Sequence, residues 1–139
     1  MIYAVLDTNV LVSALLSKSA DSTISQLINA VTEQQLTPLY HPEIIAEYED
    51  VLSRDRFPFL PEAREALINR IKHKGIDSQR VPFEAYMPDE DDRVFYEVAL
   101  SHDGAYLVTG NQKHFPVDPI VVTPAEMLEI LAKEKQKGK

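Results

Sequence analysis

Acidic side chains occur at three places in this sequence that a parallel sheet would bring together. Asp7 directly follows Ile2–Leu6, an apolar run typical of a strand buried on both faces. Glu47 lies at the border of an apolar helical stripe, and the run Asp89–Asp92 precedes another helix. Carboxylates are the ligands that magnesium and manganese prefer, so these acids predict a site for one or two such cations. Cations held in this way activate water and stabilise a leaving oxygen, which is the chemistry of phosphodiester hydrolysis.

Each of these acidic positions also has a purely structural interpretation. Asp7 can cap the helix that follows it, because its side-chain oxygens can accept hydrogen bonds from the first backbone N–H groups. A glutamate such as Glu47 is common at the border of a helical stripe, where solvent reaches it. Acids in the run Asp89–Asp92 favour the positive end of a helix dipole or form a solvated loop, but four acids repel one another and need a positive partner. The residues alone leave both interpretations open.

The composition limits the class of protein. A chain of 139 residues forms one domain with one sizeable core and is too short for two ordinary domains. Cysteine is absent, which excludes disulfides, thiol catalysis and cysteine-ligated zinc. The formal net charge of −8 argues against a protein that coats nucleic acid through general basicity. Basic residues are nevertheless concentrated from Arg54 to Arg80, where seven occur with four acids; they form either a substrate-positioning surface or a solvated helical face.

The sequence lacks the features of a membrane or secreted protein. No apolar run approaches the roughly 20 residues needed to span a bilayer. The N-terminus enters a strand at once, without the basic start and cleavage site of a signal peptide. We therefore expect a cytoplasmic protein that does not bind membranes.

Hydrophobic periodicity predicts strands that alternate with helices. The predicted strands are Ile2–Leu6, Leu36–Tyr40, Ala105–Thr109 and Ile120–Val122, with a short extended piece at Val81–Phe83. Helices are predicted around residues 10–16, 24–31, 42–52 and 62–74, after the acidic run, and from Pro124 onwards. This alternation predicts an α/β domain with a parallel sheet. The domain is expected to span residues 1–132, followed by a basic tail at 133–139 that frays.

Four short signatures, in the same order and over nearly the full length, resemble those of PIN domains. They are Val5–Ser13, Glu47–Leu52, Asp89–Asp92 and Tyr106–Asn111. The chain is similar in particular to PIN domains that serve as the toxin of toxin–antitoxin systems. This resemblance implies an α/β fold, a three-layer α/β/α sandwich with a mainly parallel central sheet. It also implies a magnesium- or manganese-dependent ribonuclease that cleaves single-stranded RNA, with a cognate antitoxin as partner and often a homodimer.

The resemblance assigns roles to individual acids of this chain. The first acid of the family falls on Asp7 and its helical glutamate on Glu47. The third falls on Asp92, because the family places this aspartate seven residues before a small helix residue, here Ala99. These three residues are expected to hold Mg²⁺ or Mn²⁺ and so to activate a water that attacks phosphorus. The resemblance implies products with a 5′-phosphate and a 3′-hydroxyl.

Other polar residues of the signatures are expected to assist these ligands. Thr8 and Asn9 match the polar pair that supports the first acid through hydrogen bonds. Asp89 and Asp91 are auxiliary candidates for binding the metal or its water. Thr109, in the last signature, is a further auxiliary residue.

The fourth metal-binding position departs from the family. Where the family has Thr-Gly-Asp, this chain has Thr109-Gly110-Asn111. An asparagine oxygen can ligate a cation but brings no charge. We expect Asn111 to hold a metal-bound water and a second cation to bind more weakly than the first. The following Lys113 and His114 either meet a phosphate or an acidic partner or form only local hydrogen bonds.

Two other functions fit parts of the sequence. A catalytically weak PIN-like module would bind RNA or a partner protein without cleaving anything, which Asn111 and the acidic charge favour. A receiver-like phosphoacceptor domain also gathers acids and magnesium at strand ends. It needs two acids close to the first strand and a lysine after a late strand, whereas here the acids are dispersed and Lys113 is only a loose match.

Overall fold

The computed structural model of the chain describes residues 1–137, in which strands and helices alternate. The strands are β1 (Ile2–Leu6), β2 (Leu36–Tyr40), β3 (Ile76–Asp77), β4 (Tyr106–Val108) and β5 (Val121–Val122). The α-helices are α1 (Thr8–Leu16), α2 (Thr23–Thr32), α3 (Pro42–Leu52), α4 (Pro61–Lys74), α5 (Arg93–Leu100) and α6 (Pro124–Lys137). Two short 3₁₀ helices, Glu90–Asp92 and Gln112–His114, precede α5 and follow β4.

The strands form one parallel sheet in the order β3-β2-β1-β4-β5. From β1 the chain builds the sheet outwards through β2 to β3, and then returns to add β4 and β5 on the other side of β1. The order therefore reverses between β1 and β4, where Leu6 lies opposite Val108. In open α/β sheets such a reversal leaves a crevice at the carboxyl ends of the two strands. The predicted α/β/α sandwich with a parallel sheet is confirmed.

The core ties the helix that carries Glu47 to the end of β1. Tyr48, in α3, is fully buried, and its hydroxyl donates a hydrogen bond to the carbonyl of Leu6. Its ring lies 6.1 Å from that of Phe95 in α5, which is also buried. Aromatic side chains contribute much of the apolar area buried in a core. The contacts of Tyr48 therefore join α3, α5 and β1 beside the crevice.

One predicted extended segment lies outside the sheet. The segment Val81–Phe83 is bound to α5 instead, since Val81 N donates to the carbonyl of Glu97 and Phe83 N donates to its carboxylate. The sheet instead contains β3 (Ile76–Asp77), a two-residue strand that was not predicted and whose side chains are both exposed. A strand of this kind has no hydrophobic alternation and so gives no periodic signal in the sequence.

The predicted domain boundary at residue 132 falls within a helix. Helix α6 continues to Lys137, so most of the predicted tail at 133–139 is helical. Residues 138 and 139 lie outside the described residues, and fraying there stays a prediction. Over residues 1–137, none of the helices combines the length and the apolar character that crossing a membrane requires.

Gly75, which follows α4, is required by a close backbone approach. A Cβ atom at this position would overlap the carbonyl oxygens of Pro38 and Ile71. Its φ of −102° is one that any residue adopts, so steric contact, and not conformational freedom, explains the glycine. The approach brings the end of α4 against β2 and starts β3 in register with Leu39.

We predict that Gly75→Ala destabilises the protein by about 1–3 kcal/mol, because the backbone must move to relieve the overlap. Urea unfolding followed by circular dichroism measures this change. Gly110→Ala is the matched control, since the nearest atom to its added Cβ, Asn9 Oδ1, is 3.8 Å away. Equal losses of stability in the two variants would contradict the steric explanation.

Candidate functional site

Polar residues occupy the crevice at which the strand order reverses. Asp7 follows β1, and Thr109, Gly110 and Asn111 follow β4. A hydrogen bond of 2.9 Å from Asp7 N to the carbonyl of Val108 joins the two strand ends. Two strands distant in sequence thus deliver their terminal side chains to the same place.

Asp7 is a buried carboxylate with one donor on each oxygen. Only 6% of the residue is exposed. Its Oδ1 accepts a 2.8 Å hydrogen bond from Thr8 N, and its Oδ2 accepts a 2.7 Å bond from the hydroxyl of Thr109. Burial raises the pKa of Asp7, and these two hydrogen bonds oppose the rise only in part. The charge of His114 also lowers the pKa of Asp7, but less than the two hydrogen bonds do. Capping and ligand binding are compatible, because Asp7 begins α1 while no lysine or arginine of residues 1–137 is paired with it.

Thr109 connects Asp7 to the loop that carries Asn111. Thr109 is completely buried, and its hydroxyl donates to Asp7 and accepts a 2.9 Å hydrogen bond from Asn111 N. Asn9 supports the same loop, since its Oδ1 accepts from Gly110 N at 3.3 Å. The Asn111 side chain is exposed at the mouth of the crevice. Asp7 is thus held by Thr109 and by the backbone of Thr8, whereas Asn9 acts on the neighbouring loop.

The acidic run forms a tight turn that presents Asp92 to the crevice. Asp89 starts the turn by accepting a 3.0 Å hydrogen bond from Asp91 N. The Oδ2 atom of Asp92 is buried and has no hydrogen-bond donor. The nearest imidazole nitrogen, Nδ1 of His114, lies 3.5 Å away, which is too long for a good hydrogen bond. Burial and then the charges of Asp7 and Asp89 raise the pKa of Asp92 to about 7, against a smaller lowering by His114.

Glu47 faces the same acidic turn from helix α3. It is half-buried, and its pKa is raised first by burial and then by the charges of Asp91 and Asp50. Arg54 lowers this pKa and therefore lies near enough to offset part of the negative charge. Electrostatic coupling thus links Glu47 to the turn, as it links Asp92 to Asp7.

The acids share a crevice without forming a closed three-ligand cage. Within residues 1–137, no three histidine, aspartate or glutamate side chains converge closely enough to hold one metal ion. The charge of Asp7 acts on Asp92, while the charges of Asp91 and Asp89 act on Glu47. The donor chemistry nevertheless fits Mg²⁺ or Mn²⁺, because carboxylate and amide oxygens are available and one buried oxygen of Asp92 has no donor.

Two arginines hold the segment before the acidic turn: Arg80, the last residue of the basic stretch, and Arg93, which the sequence did not single out. Arg80 Nε donates to the buried carboxylate of Glu97 at 2.7 Å, and its Nη1 pairs with Glu43 on α3. Arg93 pairs with Glu90, at 2.7 Å, and donates to carbonyls of the preceding segment. Arg80 therefore bridges α3 and α5, the helices next to Glu47 and Asp92. No sequence pattern reveals these contacts, since each partner lies far along the chain or looks like an ordinary surface charge.

The raised pKa of Asp92 predicts that the difference in stability between Asp92→Asn and wild type depends on pH. A pKa raised from 3.8 to about 7 means that the folded protein holds this proton more tightly than the unfolded chain. The Asp92 carboxyl therefore stabilises the fold least above pH 7, after the proton has left. In the presence of a chelator, Asp92→Asn should be more stable than wild type by about 1–2 kcal/mol at pH 8, allowing for solvent screening.

Urea unfolding at pH 4 and pH 8 measures this difference, which should shrink at the lower pH. Asp91→Asn removes the same charge from an exposed neighbour and should change stability much less. A difference between Asp92→Asn and wild type that stays constant over this pH range would contradict the assignment.

Comparison with known protein families agrees with this geometry. The PIN domain family model matches residues 3–113, which include Asp7, Glu47, Asp92 and Asn111. Searches of curated proteins and of solved structures gave no match. The family match covers most of the chain. It includes the ends of β1 and β4 and every acid discussed above. The chain therefore belongs to the PIN domain family.

Proposed function

We propose that this protein is a metal-dependent endoribonuclease that cleaves single-stranded RNA with an activated water. PIN domains have a nuclease-type fold and are generally metal-dependent ribonucleases. The observation that carries the proposal is the pairing of two desolvated acids. The charge of Asp7 raises the pKa of Asp92, and Oδ2 of Asp92 is buried without a donor. Two such groups are costly to keep charged in a protein unless they bind a cation or a proton.

Asp7, Glu47 and Asp92 are proposed to hold Mg²⁺ or Mn²⁺, with Asn111 as a neutral fourth position that binds the cation through a metal-bound water. The bound cation supplies a lowered pKa for a coordinated water and stabilisation of the leaving oxygen. Thr109 and the backbone of Thr8 orient the carboxylate of Asp7 toward the crevice. Because its pKa is near 7, Asp92 exchanges a proton for a cation readily at neutral pH. The chain needs no nucleophile of its own, and the products carry a 5′-phosphate and a 3′-hydroxyl.

The basic stretch is proposed to contribute to RNA positioning through Arg54. Its effect on the pKa of Glu47 indicates a position beside the acids, and its own partner, Asp50 at 3.1 Å, is exposed. Phosphate contacts of this type position a substrate without specifying its sequence. Arg80 is unsuited to the task, because Glu43 and Glu97 already neutralise it.

We also propose that the protein is a cytoplasmic toxin of a toxin–antitoxin pair and forms a homodimer. The open crevice with the buried Asp92 oxygen suits a guanidinium group as well as a cation. An antitoxin segment that inserts an arginine among the carboxylates would block metal binding. A structure of the complex in which the partner leaves the crevice open would contradict this.

A catalytically weak RNA- or protein-binding PIN module is the second candidate. It is favoured by Asn111, which supplies no charge where the family has an aspartate. The absence of a closed three-acid cage within residues 1–137 also favours it. The two candidates differ in whether RNA is cut.

Cleavage of a mixed-sequence single-stranded RNA separates the two candidates. Wild type should cut with Mn²⁺ or Mg²⁺ and not with a chelator, and Asp7→Asn should lower the rate by about 100-fold or more, because the site loses a charged ligand. Asp7→Asn keeps the side-chain oxygen that caps α1, so the fold remains. End-group analysis of the products checks for the 5′-phosphate.

Inert wild type that still binds Mn²⁺ would favour the binding module. Equal cleavage by wild type and Asp7→Asn would contradict the assignment of Asp7 and indicate a contaminating nuclease.

Replacing Asn111 tests the fourth position. Asn111→Asp should tighten Mn²⁺ binding by about tenfold, because a charged oxygen replaces a neutral one at the crevice mouth. Calorimetric titration measures the affinity. Ser13→Asp is the control, since it adds the same charge at an exposed position of a groove that Asn111 also lines. Equal effects of the two changes would reduce the role of Asn111 to general electrostatics.

A further inference from the structure

An acidic nuclease must obtain affinity for RNA from something other than net charge. The formal net charge is −8, and the crevice itself gathers carboxylates that repel phosphate. Stacking of bases on aromatic side chains carries no such electrostatic penalty, and it is worth about 1–3 kcal/mol per base in proteins that bind single strands. An aromatic ring that faces solvent near the crevice would supply such affinity.

Tyr86 is such a ring. It is 84% exposed, and among the exposed large hydrophobic side chains of residues 1–137 it alone is aromatic. Most aromatic side chains in a fold find some apolar cover. An exposed aromatic side chain on a backbone that is held in place therefore indicates a contact with a ligand.

The backbone on both sides of Tyr86 is anchored. On one side, the carbonyl of Ala85 accepts a 3.0 Å hydrogen bond from Arg93, and the ring of Phe83 packs edge-on against Tyr96 at 4.8 Å. On the other side, Met87 is buried, with only 3% of its surface exposed. Tyr86 thus projects from a constrained segment, so little backbone entropy remains to be lost when a ligand binds it.

The same anchors bring Tyr86 to the acidic turn. Arg93, which holds the carbonyl of Ala85, directly follows Asp92 in the chain. Asp89, the first residue of the turn, is three residues after Tyr86. The tyrosine therefore stands within a few residues of the carboxylates on which the proposed hydrolysis depends.

We propose that Tyr86 is a stacking subsite for a nucleobase of single-stranded RNA, next to the phosphate that is cut. The inference rests on the proposed ribonuclease function and adds a contact for the bases to it. Stacking accepts any base, so Tyr86 provides affinity and position without sequence specificity. It also gives RNA binding a shallower dependence on salt than phosphate contacts alone would give.

The absence of tryptophan from the chain allows a direct optical test. Tyr86→Trp places the single indole of the protein at the proposed subsite, where a stacked base quenches its fluorescence. Leu16→Trp is the control, because Leu16 is also exposed but lies at the far end of α1 from the crevice. All variants carry Asp7→Asn so that the RNA stays intact, and the anisotropy of a labelled RNA oligonucleotide reports binding separately.

The proposal predicts quenching of Tyr86→Trp by single-stranded RNA and none by an abasic ribose-phosphate oligomer of equal length. The Leu16→Trp protein should bind the same RNA without quenching. Binding of RNA without quenching of Tyr86→Trp would overturn the subsite and leave the nuclease proposal intact. An absence of RNA binding by every variant would overturn the subsite, whereas the cleavage assay with wild type tests the nuclease proposal separately.

Affinity gives a second measurement that needs no new fluorophore. Tyr86→Ala should weaken RNA binding about tenfold, whereas Tyr86→Phe keeps the ring and should bind like the parent. In the active protein the same loss should raise KM and leave kcat nearly unchanged. Equal RNA affinity of Tyr86→Ala and the parent would overturn the proposal.

Discussion

The structure depends on the burial of one carboxylate, that of Asp7, where the strand order of the sheet reverses. A buried carboxylate is costly, and the fold offsets this cost with a backbone donor from Thr8 and a hydroxyl from Thr109. Both donors are neutral, and the imidazole of His114 is the one basic group of the described residues that lowers the pKa of Asp7, so burial still raises that pKa. The crevice next to it therefore favours positive groups. The charge of Asp7 also disfavours negative charge on its neighbour Asp92, whose pKa is raised to about 7 by burial and by the charges of Asp7 and Asp89.

The surrounding elements hold acids together that would otherwise repel one another. Tyr48 ties α3 to β1, and Arg80 bridges α3 to α5 through Glu43 and Glu97. These contacts lie outside the crevice, so they position Glu47 and the acidic turn without neutralising the site. Within the crevice, Arg54 and His114 offset only part of the negative charge, since the pKa values of Asp7, Glu47 and Asp92 all remain raised.

Much of the fold can be predicted from the sequence, because continuous apolar runs indicate buried strands. The ends of β1 and β4 could be predicted for that reason, and with them the meeting of Asp7 and the Asn111 loop. The bridge that Arg80 forms between Glu43 and Glu97 could not, because tertiary packing brings these partners together. For Arg93, the pair with Glu90 is local, but the hydrogen bond to the carbonyl of Ala85 depends on the path of the preceding segment. The two-residue strand β3 was also missed, since both its residues are exposed and it exists through its register with β2.

The most direct test of the account is a calorimetric titration of wild type and Asp7→Asn with Mn²⁺ at pH 6.5, in buffers that differ in ionisation enthalpy. We expect wild type to bind the ion and release protons, because Asp92 must give up its proton, and Asp7→Asn to bind far more weakly. Equal binding by the two proteins, or binding without proton release, would contradict the claim that these desolvated carboxylates form a cation site.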